Sequence, residues 1–379
     1  MKIGIMTFWW SDDNYGQILQ CYALQKYLRD AGHDAYLIRY DPRNDYVKTP
    51  FLKKVIKVFN PVKLSHFVYY KVKKIMFHDK IEKTNYLRKF DCFRKQYMQQ
   101  SKRMYYSYKE LIEGPPEADV YIAGSDQVWN PDLLSFKKTK NQVKAYFLDF
   151  GDGEKKRIAY AASFGKERLP DNFIQEITIL LEKFDYVSVR EKSGLDICRA
   201  CGFDKVEWVP DPTMLLKASD YRALYANEPL SNIEKSYCLL YMLSNTYDFS
   251  IKVIYEWAKS KNLEIVYVTG NLKHDKYEKM YASIPEWLYL IDNAEYIITN
   301  SFHCSLFSLL FQKRFGIVPL TGSYLGMNSR FDSLFETMEI RQRFIDSSFT
   351  VLDTDIDWNK VENIFKTIQN SCNLLAYIQ

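Results

Sequence analysis

No run of apolar residues comes near the roughly 18 that a membrane-spanning helix needs. The first apolar stretch, Ile3 to Trp10, is short and meets Ser11, Asp12 and Asp13 without a small-residue cleavage site. No secretory leader is therefore expected. Cysteine is sparse and odd in number, seven in 379 residues, which fits a reducing compartment better than a disulfide framework. A cytoplasmic location follows as an expectation. Cys198 and Cys201 form one CxxC with neither a second pair nor a nearby histidine, so a helix end explains them better than a metal. No GxGxxG follows the first strand, and GxxxxGK[ST], HExxH and GxSxG are all missing. These absences count against dinucleotide oxidoreductases, P-loop kinases, zinc hydrolases and serine hydrolases. No cofactor and no metal are expected.

Charge of one sign is scarce overall but not locally. The net charge is +5, from 52 Lys+Arg and 47 Asp+Glu, too little to imply nucleic acid. Residues 51–110, however, hold 16 Lys+Arg against 4 Asp+Glu, a local +12, which leaves −7 for the rest. Such asymmetry fits a face that meets an anionic partner, and equally a solvated helical face. Aromatics are plentiful at 16%; they fill cores and also stack on sugars.

The length allows about two domains at roughly 150 residues each. Lys2–Phe8, Gly16–Ala31 and Asp34–Tyr40 read as strand, helix and strand, with Gly32 ending the helix. That order implies a right-handed crossover in a parallel sheet. Residues 45–110 interrupt the rhythm as a Lys- and Tyr-rich helical insertion. Strands follow at Asp119–Ala123, Ala145–Leu148, Arg157–Ala162, Tyr186–Val189 and Lys205–Val209. Helices follow at Asp171–Phe184 and Glu191–Ala200. A second set of strands is expected at Ser236–Leu243, Leu263–Thr269, Glu295–Thr299 and Arg314–Val318. Its helices fall at Asp248–Lys261, Pro285–Asn293, His303–Phe311 and Asp332–Thr337. The fold class is therefore α/β: two Rossmann-like, doubly wound domains facing a cleft, the GT-B-like layout. Residues 1–210 form the first, 211–345 the second, and a last helix within 346–379 (about Trp358–Tyr377) folds back onto the first. A ligand would lie outside the carboxyl ends of the strands.

Four junctions sit where that cleft should be. In Thr299-Asn300-Ser301-Phe302-His303 a strand turns into an apolar helix. Its first turn offers unpaired N–H groups and the positive end of a dipole to an anion, such as a small phosphorylated molecule. Ser301 adds a hydroxyl, and His303 can donate to a phosphate or deliver a proton. The alternative is a capping serine and a structural histidine. Arg190 and Lys192 lie at a second strand-to-helix turn, Arg190 presenting a fork suited to carboxylate or phosphate, or else a surface pair with Glu191. Gly124-Ser125-Asp126 brings backbone close to a ligand and offers a carboxylate. Trp129 follows as a stacking platform, although Gly-Ser-Asp is also ordinary turn chemistry. Asp12-Asp13-Asn14-Tyr15-Gly16, in the first strand-to-helix loop, opens the first helix as both a cap and a candidate ligand loop.

Taken together and in order, these segments resemble the polysaccharide pyruvyl transferase family. The resemblance rests on Asp13-Asn14-Tyr15-Gly16 with Leu19-Gln20-Cys21-Tyr22-Ala23-Leu24, Gly124 through Asn130, and Tyr160 through Gly165. It continues through Ser188-Val189-Arg190-Glu191, Asp211-Pro212-Thr213 and Thr299 through His303. It implies phosphoenolpyruvate as donor, a sugar as acceptor and a pyruvate ketal as product, with phosphate released. The resemblance implies that family members with an Arg two residues before the cleft histidine use it with that histidine on the donor. Here Ser301 stands in that place, so Arg190, Lys192 or Arg330 takes over the contact, or the donor differs. The reading assigns His303 as acid and Asp126 or Asp13 as base. It places Arg190, Lys192, Ser301, Phe302, His303 and Arg330 on the donor. Asn14, Tyr15, Gly124, Ser125, Asp126 and Trp129 go to the acceptor. The basic 51–110 stretch would suit a lipid-linked acceptor at a membrane surface. The rival readings are a nucleotide-sugar glycosyltransferase of the same fold and a non-catalytic sugar-binding or scaffold protein of polysaccharide assembly.

Overall fold

A computed structural model describes residues 1–42, 45, 83–243, 248–270 and 276–379. Two wholly parallel sheets organise these residues. The first has the order β3-β2-β1-β4-β5-β6-β7: β1 is Lys2–Met6, β2 Asp34–Tyr40, β3 Gln100–Tyr105, β4 Val120–Ala123, β5 Lys156–Ala162, β6 Tyr186–Val189 and β7 Val206–Trp208. The second runs β11-β10-β8-β9, with β8 Tyr237–Met242, β9 Glu264–Thr269, β10 Tyr296–Thr299 and β11 Arg314–Ile317. Several of these strands, β4, β6, β8 and β10 among them, are buried at every position. Such strands read as unbroken apolar runs because helices cover both faces of a parallel sheet. The fold is thus two Rossmann-like domains in a GT-B-like arrangement.

Helix α1 (Tyr15–Asp30) begins at Asn14, whose side chain accepts the Gln17 N–H. It ends before Gly32, which adopts φ +86°, a left-handed geometry open to glycine. Its buried residues face every direction rather than one stripe, because the helix is covered by its own sheet and by the second domain. Tyr15 stacks on Trp287 at 4.9 Å and donates its hydroxyl to the Ala282 carbonyl at 2.7 Å. One apolar core holds Ile18 and Leu19 together with Trp287 and Phe307. The terminal helices, α2 (Trp358–Ser371) and α3 (Leu374–Ile378), are separated by Cys372 and Asn373 rather than continuous. Leu374 and Ile378 pack with Ile3, Ile5 and Ile158 of the first sheet, so the tail does return to it.

Two sequence expectations change. Ala145–Leu148 is not a strand: a helix spans Asn141–Tyr146 and the chain then turns. A four-residue apolar run carries no period that separates a buried strand from a buried helix end. Within the expected helical insertion, β3 is an edge strand beside β2, with exposed Lys102 and Arg103 of the kind that protects a sheet edge. Residues 46–82, most of the basic stretch, lie outside the described residues.

Candidate functional site

Each sheet reverses its winding at its centre, the first between β1 and β4, the second between β8 and β10. Loops leaving such a point diverge to opposite faces and open a crevice beyond the strand ends. The two crevices face each other and form one cleft of about 650 Å³. The loop after β1 contributes Trp10, Asp12, Asp13 and Asn14, and the loop after β4 contributes Asp126 and Gln127. Across the cleft stand Asn300, Ser301, Phe302 and His303, with Arg330 beside them.

The turn after β10 is built as its sequence demands. Ser301 caps helix α4 (Phe302–Leu310) by accepting the Cys304 N–H. Asn300 accepts the Leu243 N–H at 2.8 Å, tying the ends of β8 and β10 together. The N–H groups of Phe302 and His303 then fall in the first helical turn, where helical geometry supplies no acceptor. Gly16, in the first turn of α1, lies against the His303 ring. A Cβ there would stand 2.2 Å from both Cγ and Nδ1 of the imidazole. The two helices therefore meet start to start, and only glycine admits the histidine between them.

On the opposite wall, Asp126 adopts φ 70°, a region that Asp tolerates better than most residues. Gln17 donates to its Oδ2 at 3.1 Å. Asp13 accepts the Ser11 hydroxyl at 3.0 Å. Although more than a third exposed, it sits deep enough in the cleft that desolvation raises its carboxyl above the ordinary value.

Arg190 and His303 come together, but around a carboxylate rather than an open space. Arg190 Nη1 lies 2.9 Å from Asp211 Oδ2 and its Nε 3.1 Å from Glu191. His303 Nε2 lies 3.4 Å from the same Asp211 oxygen. Burial alone would raise the Asp211 carboxyl; His303 and Arg190 outweigh it and hold the group well below the usual carboxylate range. With Asp126 a further 4.0 Å away, the Arg190 charge faces three carboxylates. Arg190 therefore braces the site from beneath and does not line the cleft. Arg330 does line it. Burial first, then repulsion from Arg190, lower its guanidinium to about 10. Phe302 lies between the two, 5.0 Å from the Arg190 guanidinium carbon and 5.9 Å from that of Arg330.

Other expected site residues fall elsewhere. Lys192 is half exposed, bridges to Glu336 and lies 4.7 Å over Trp208, away from the donor region. Trp129 is no sugar platform. It is fully buried, stacked on Phe147 at 4.5 Å, and donates its indole N–H to the Tyr146 carbonyl. Tyr15 is likewise buried in the junction between the domains. Gly124 packs against Thr7 and Ser125 is buried below the cleft floor, its hydroxyl 3.3 Å from Asp211; neither lines the cavity.

Two arginines at the end of the basic stretch were not anticipated. Arg88 donates to the Thr269 carbonyl at 2.8 Å and reaches the Asp12 carbonyl at 3.4 Å, linking the two domains at the cleft rim. Arg94 donates to the Ser11 carbonyl at 2.7 Å and pairs with Asp12 at 2.9 Å, clamping the first loop. A signal existed for Arg94: it follows Phe90 by four and Phe93 by one, all three buried, which places it on the apolar face of its helix.

Among the described residues no helix is long and apolar enough to cross a membrane. Solved structures with similar architecture include the UDP-GlcNAc 2-epimerase of Methanocaldococcus jannaschii in complex with UDP-GlcNAc and UDP. It is 13% identical with a TM-score of 0.46, covering 98% of this chain and 100% of that one. The UDP-GlcNAc 2-epimerase from Neisseria meningitidis bound to UDP-GlcNAc is 9% identical with a TM-score of 0.47, covering 100% and 99%. No curated protein is a significant match. Residues 14–319, most of the chain and both sides of the cleft, match the polysaccharide pyruvyl transferase family. The chain belongs to that family, and with it to the transferases of polysaccharide biosynthesis.

Proposed function

We propose that the protein transfers a pyruvyl group from phosphoenolpyruvate to two hydroxyls of a sugar, forming a ketal and releasing phosphate. The observation that carries this reading is the cleft itself. His303, the start of α4 and Arg330 stand on one wall, and Asp126 and Asp13 on the other. Arg330 and the N–H groups at Phe302 and His303 would hold the carboxylate and phosphate of the donor. The His303 imidazolium gives its proton to the methylene carbon, leaving an oxocarbenium-like centre at the neighbouring carbon. A sugar hydroxyl forms the first C–O bond as Asp126 or Asp13 takes its proton. The second hydroxyl then forms the other C–O bond and gives its proton to the now neutral His303, as phosphate leaves with the electrons of the bond that breaks. Desolvation raises the carboxyl of Asp13 above its ordinary value, the direction that makes a carboxylate a stronger base.

The acceptor is a sugar of a surface polysaccharide or of its lipid-linked precursor. In the second case the basic 51–110 stretch would hold the protein peripherally at an anionic membrane face. Flotation with and without anionic lipid tests that part, and indifference to lipid charge removes it. The donor is tested by thermal shift with phosphoenolpyruvate against UDP, GDP and CMP sugars. Stabilisation by phosphoenolpyruvate alone supports this reading. Stabilisation by a nucleotide sugar alone replaces it with glycosyl transfer. His303→Ala should lower turnover by about 10²–10⁴ if the imidazole is the acid.

A further inference from the structure

The Asp211-Pro212-Thr213 segment has no part in the chemistry above, yet its carboxylate is wholly enclosed beside the cleft. Oδ1 accepts the Thr213 N–H at 3.0 Å and the Thr213 hydroxyl at 2.7 Å. Oδ2 faces Arg190 Nη1 at 2.9 Å, the Ser125 hydroxyl at 3.3 Å and His303 Nε2 at 3.4 Å. Arg190 and Ser125 come from the ends of first-sheet strands, Thr213 from the segment that leads from β7 to β8, and His303 from the start of α4. The His303 contact is within ion-pair reach but is not aligned as a hydrogen bond, and among the described residues the buried Nε2 has no other acceptor. Cγ, Nδ1 and Cβ of the imidazole lie against Gly16. The Asp211 oxygen is the polar contact that Nε2 has in the structure. Catalytic hydrogen bonds are often long in free proteins and tighten when ligand binds.

We propose that Asp211 is the positioning residue for His303: it holds the ring by Nε2, fixing its tautomer and aim. Arg190 and Thr213 in turn fix Asp211, which explains why an arginine is enclosed by carboxylates beneath an anion-binding wall. The mechanistic consequence rests on the proposed pyruvyl transfer, but the contact itself can be measured without any substrate. The protein has five histidines, so histidine-selective ¹⁵N labelling gives few ring signals, and His303→Ala identifies the relevant set. At pH about 9, where ordinary imidazoles are neutral, the free wild-type protein should show the His303 proton on Nε2. Asp211→Asn should convert that single tautomer into a mixture. A proton on Nδ1 in the wild type overturns the proposal whether or not the variant folds, and so does an unchanged tautomer in a folded variant. With phosphoenolpyruvate and acceptor, Asp211→Asn should lower kcat by about 10²-fold, as a small misplacement of a reacting group can do. A loss confined to KM would mean that Asp211 serves binding rather than aim. If the wild type does not use phosphoenolpyruvate, the donor reading fails while the tautomer measurement still decides this one.

Discussion

Gly16→Ala is the smallest change that separates the geometry of this cleft from its chemistry. The added methyl would stand 2.2 Å from Cγ and Nδ1 of His303 and 2.5 Å from its Cβ. Ordinary contact begins near 3.4 Å. The ring must therefore retreat by about 1 Å, a displacement that can reduce turnover about 10²-fold. Stability changes less, because two effects oppose each other. Overpacking a tight site costs about 1–3 kcal/mol, while Ala in a helix is favoured over Gly by up to about 1 kcal/mol. The net is a loss of about 0–2 kcal/mol, or a few degrees in Tm for a domain of this size. The assay pairs thermal denaturation with phosphate release from phosphoenolpyruvate. The control background is His303→Gly and not His303→Ala, since the alanine Cβ would keep the 2.5 Å clash. In that background Gly16→Ala should be neutral or stabilising, with a coupling energy of about 1–3 kcal/mol across the double-mutant cycle. An equal penalty in both backgrounds would show that the methyl meets something other than the histidine, and the helix-start packing would be wrong.

Arg190→Met should destabilise by about 3–5 kcal/mol, because it strands buried carboxylates without their cation; a urea midpoint within experimental error of wild type would refute the bracing role. Acid should weaken the protein through Asp211. Its folded pKa is depressed, so its contribution is complete above the unfolded value of about 3.9 and is lost as pH falls below that. Urea titrations between pH about 5 and 3 should show a decline that Asp211→Asn flattens, and parallel slopes would contradict the assignment. Trp129→Ala should cost about 3–5 kcal/mol with acceptor KM unchanged in whatever fraction stays folded, whereas a raised KM at full stability would restore it as a sugar platform.

Much of the fold was legible because parallel strands buried on both faces announce themselves as apolar runs. Asn14 and Gly32 mark the ends of α1 by mechanisms that act within one turn of helix. The His303 junction was legible for the same reason, since strand, polar turn and apolar helix are adjacent in sequence. What could not be read depended on distant chain. Arg190 looked like a donor ligand because Glu191 was its only visible neighbour, while Asp211 and Asp126 arrive from other strand ends. Trp129 follows a Gly-Ser-Asp turn as a platform would, but Phe147, Phe164 and Phe184 enclose it. Arg88 and Arg94 were counted as part of a solvated or membrane-facing surplus, although both are almost wholly buried at the cleft rim.

The electrostatics of the cleft follow from that correction. With Arg190 occupied by Asp211, Glu191 and Asp126, the positive wall consists of Arg330, His303 and the start of α4, with Arg88 at the rim. Burial of Arg330 beside another guanidinium disfavours its charge, which is why its pKa falls to about 10. It remains a cation at neutral pH, but one held at a cost that a bound anion would relieve. Glu191 and Asp126, the carboxylates near Arg190, offset part of that repulsion. A site of this form favours a small ligand whose negative groups meet Arg330 and the helix start while the remainder extends toward Asp13 and Asp126. Phosphoenolpyruvate, the donor proposed above, bears its carboxylate and its phosphate on one carbon and would meet that condition. A nucleotide sugar would need further room for its base and ribose, and so would protect residues beyond Arg88 and Arg330 in a hydrogen-exchange comparison of the two ligands.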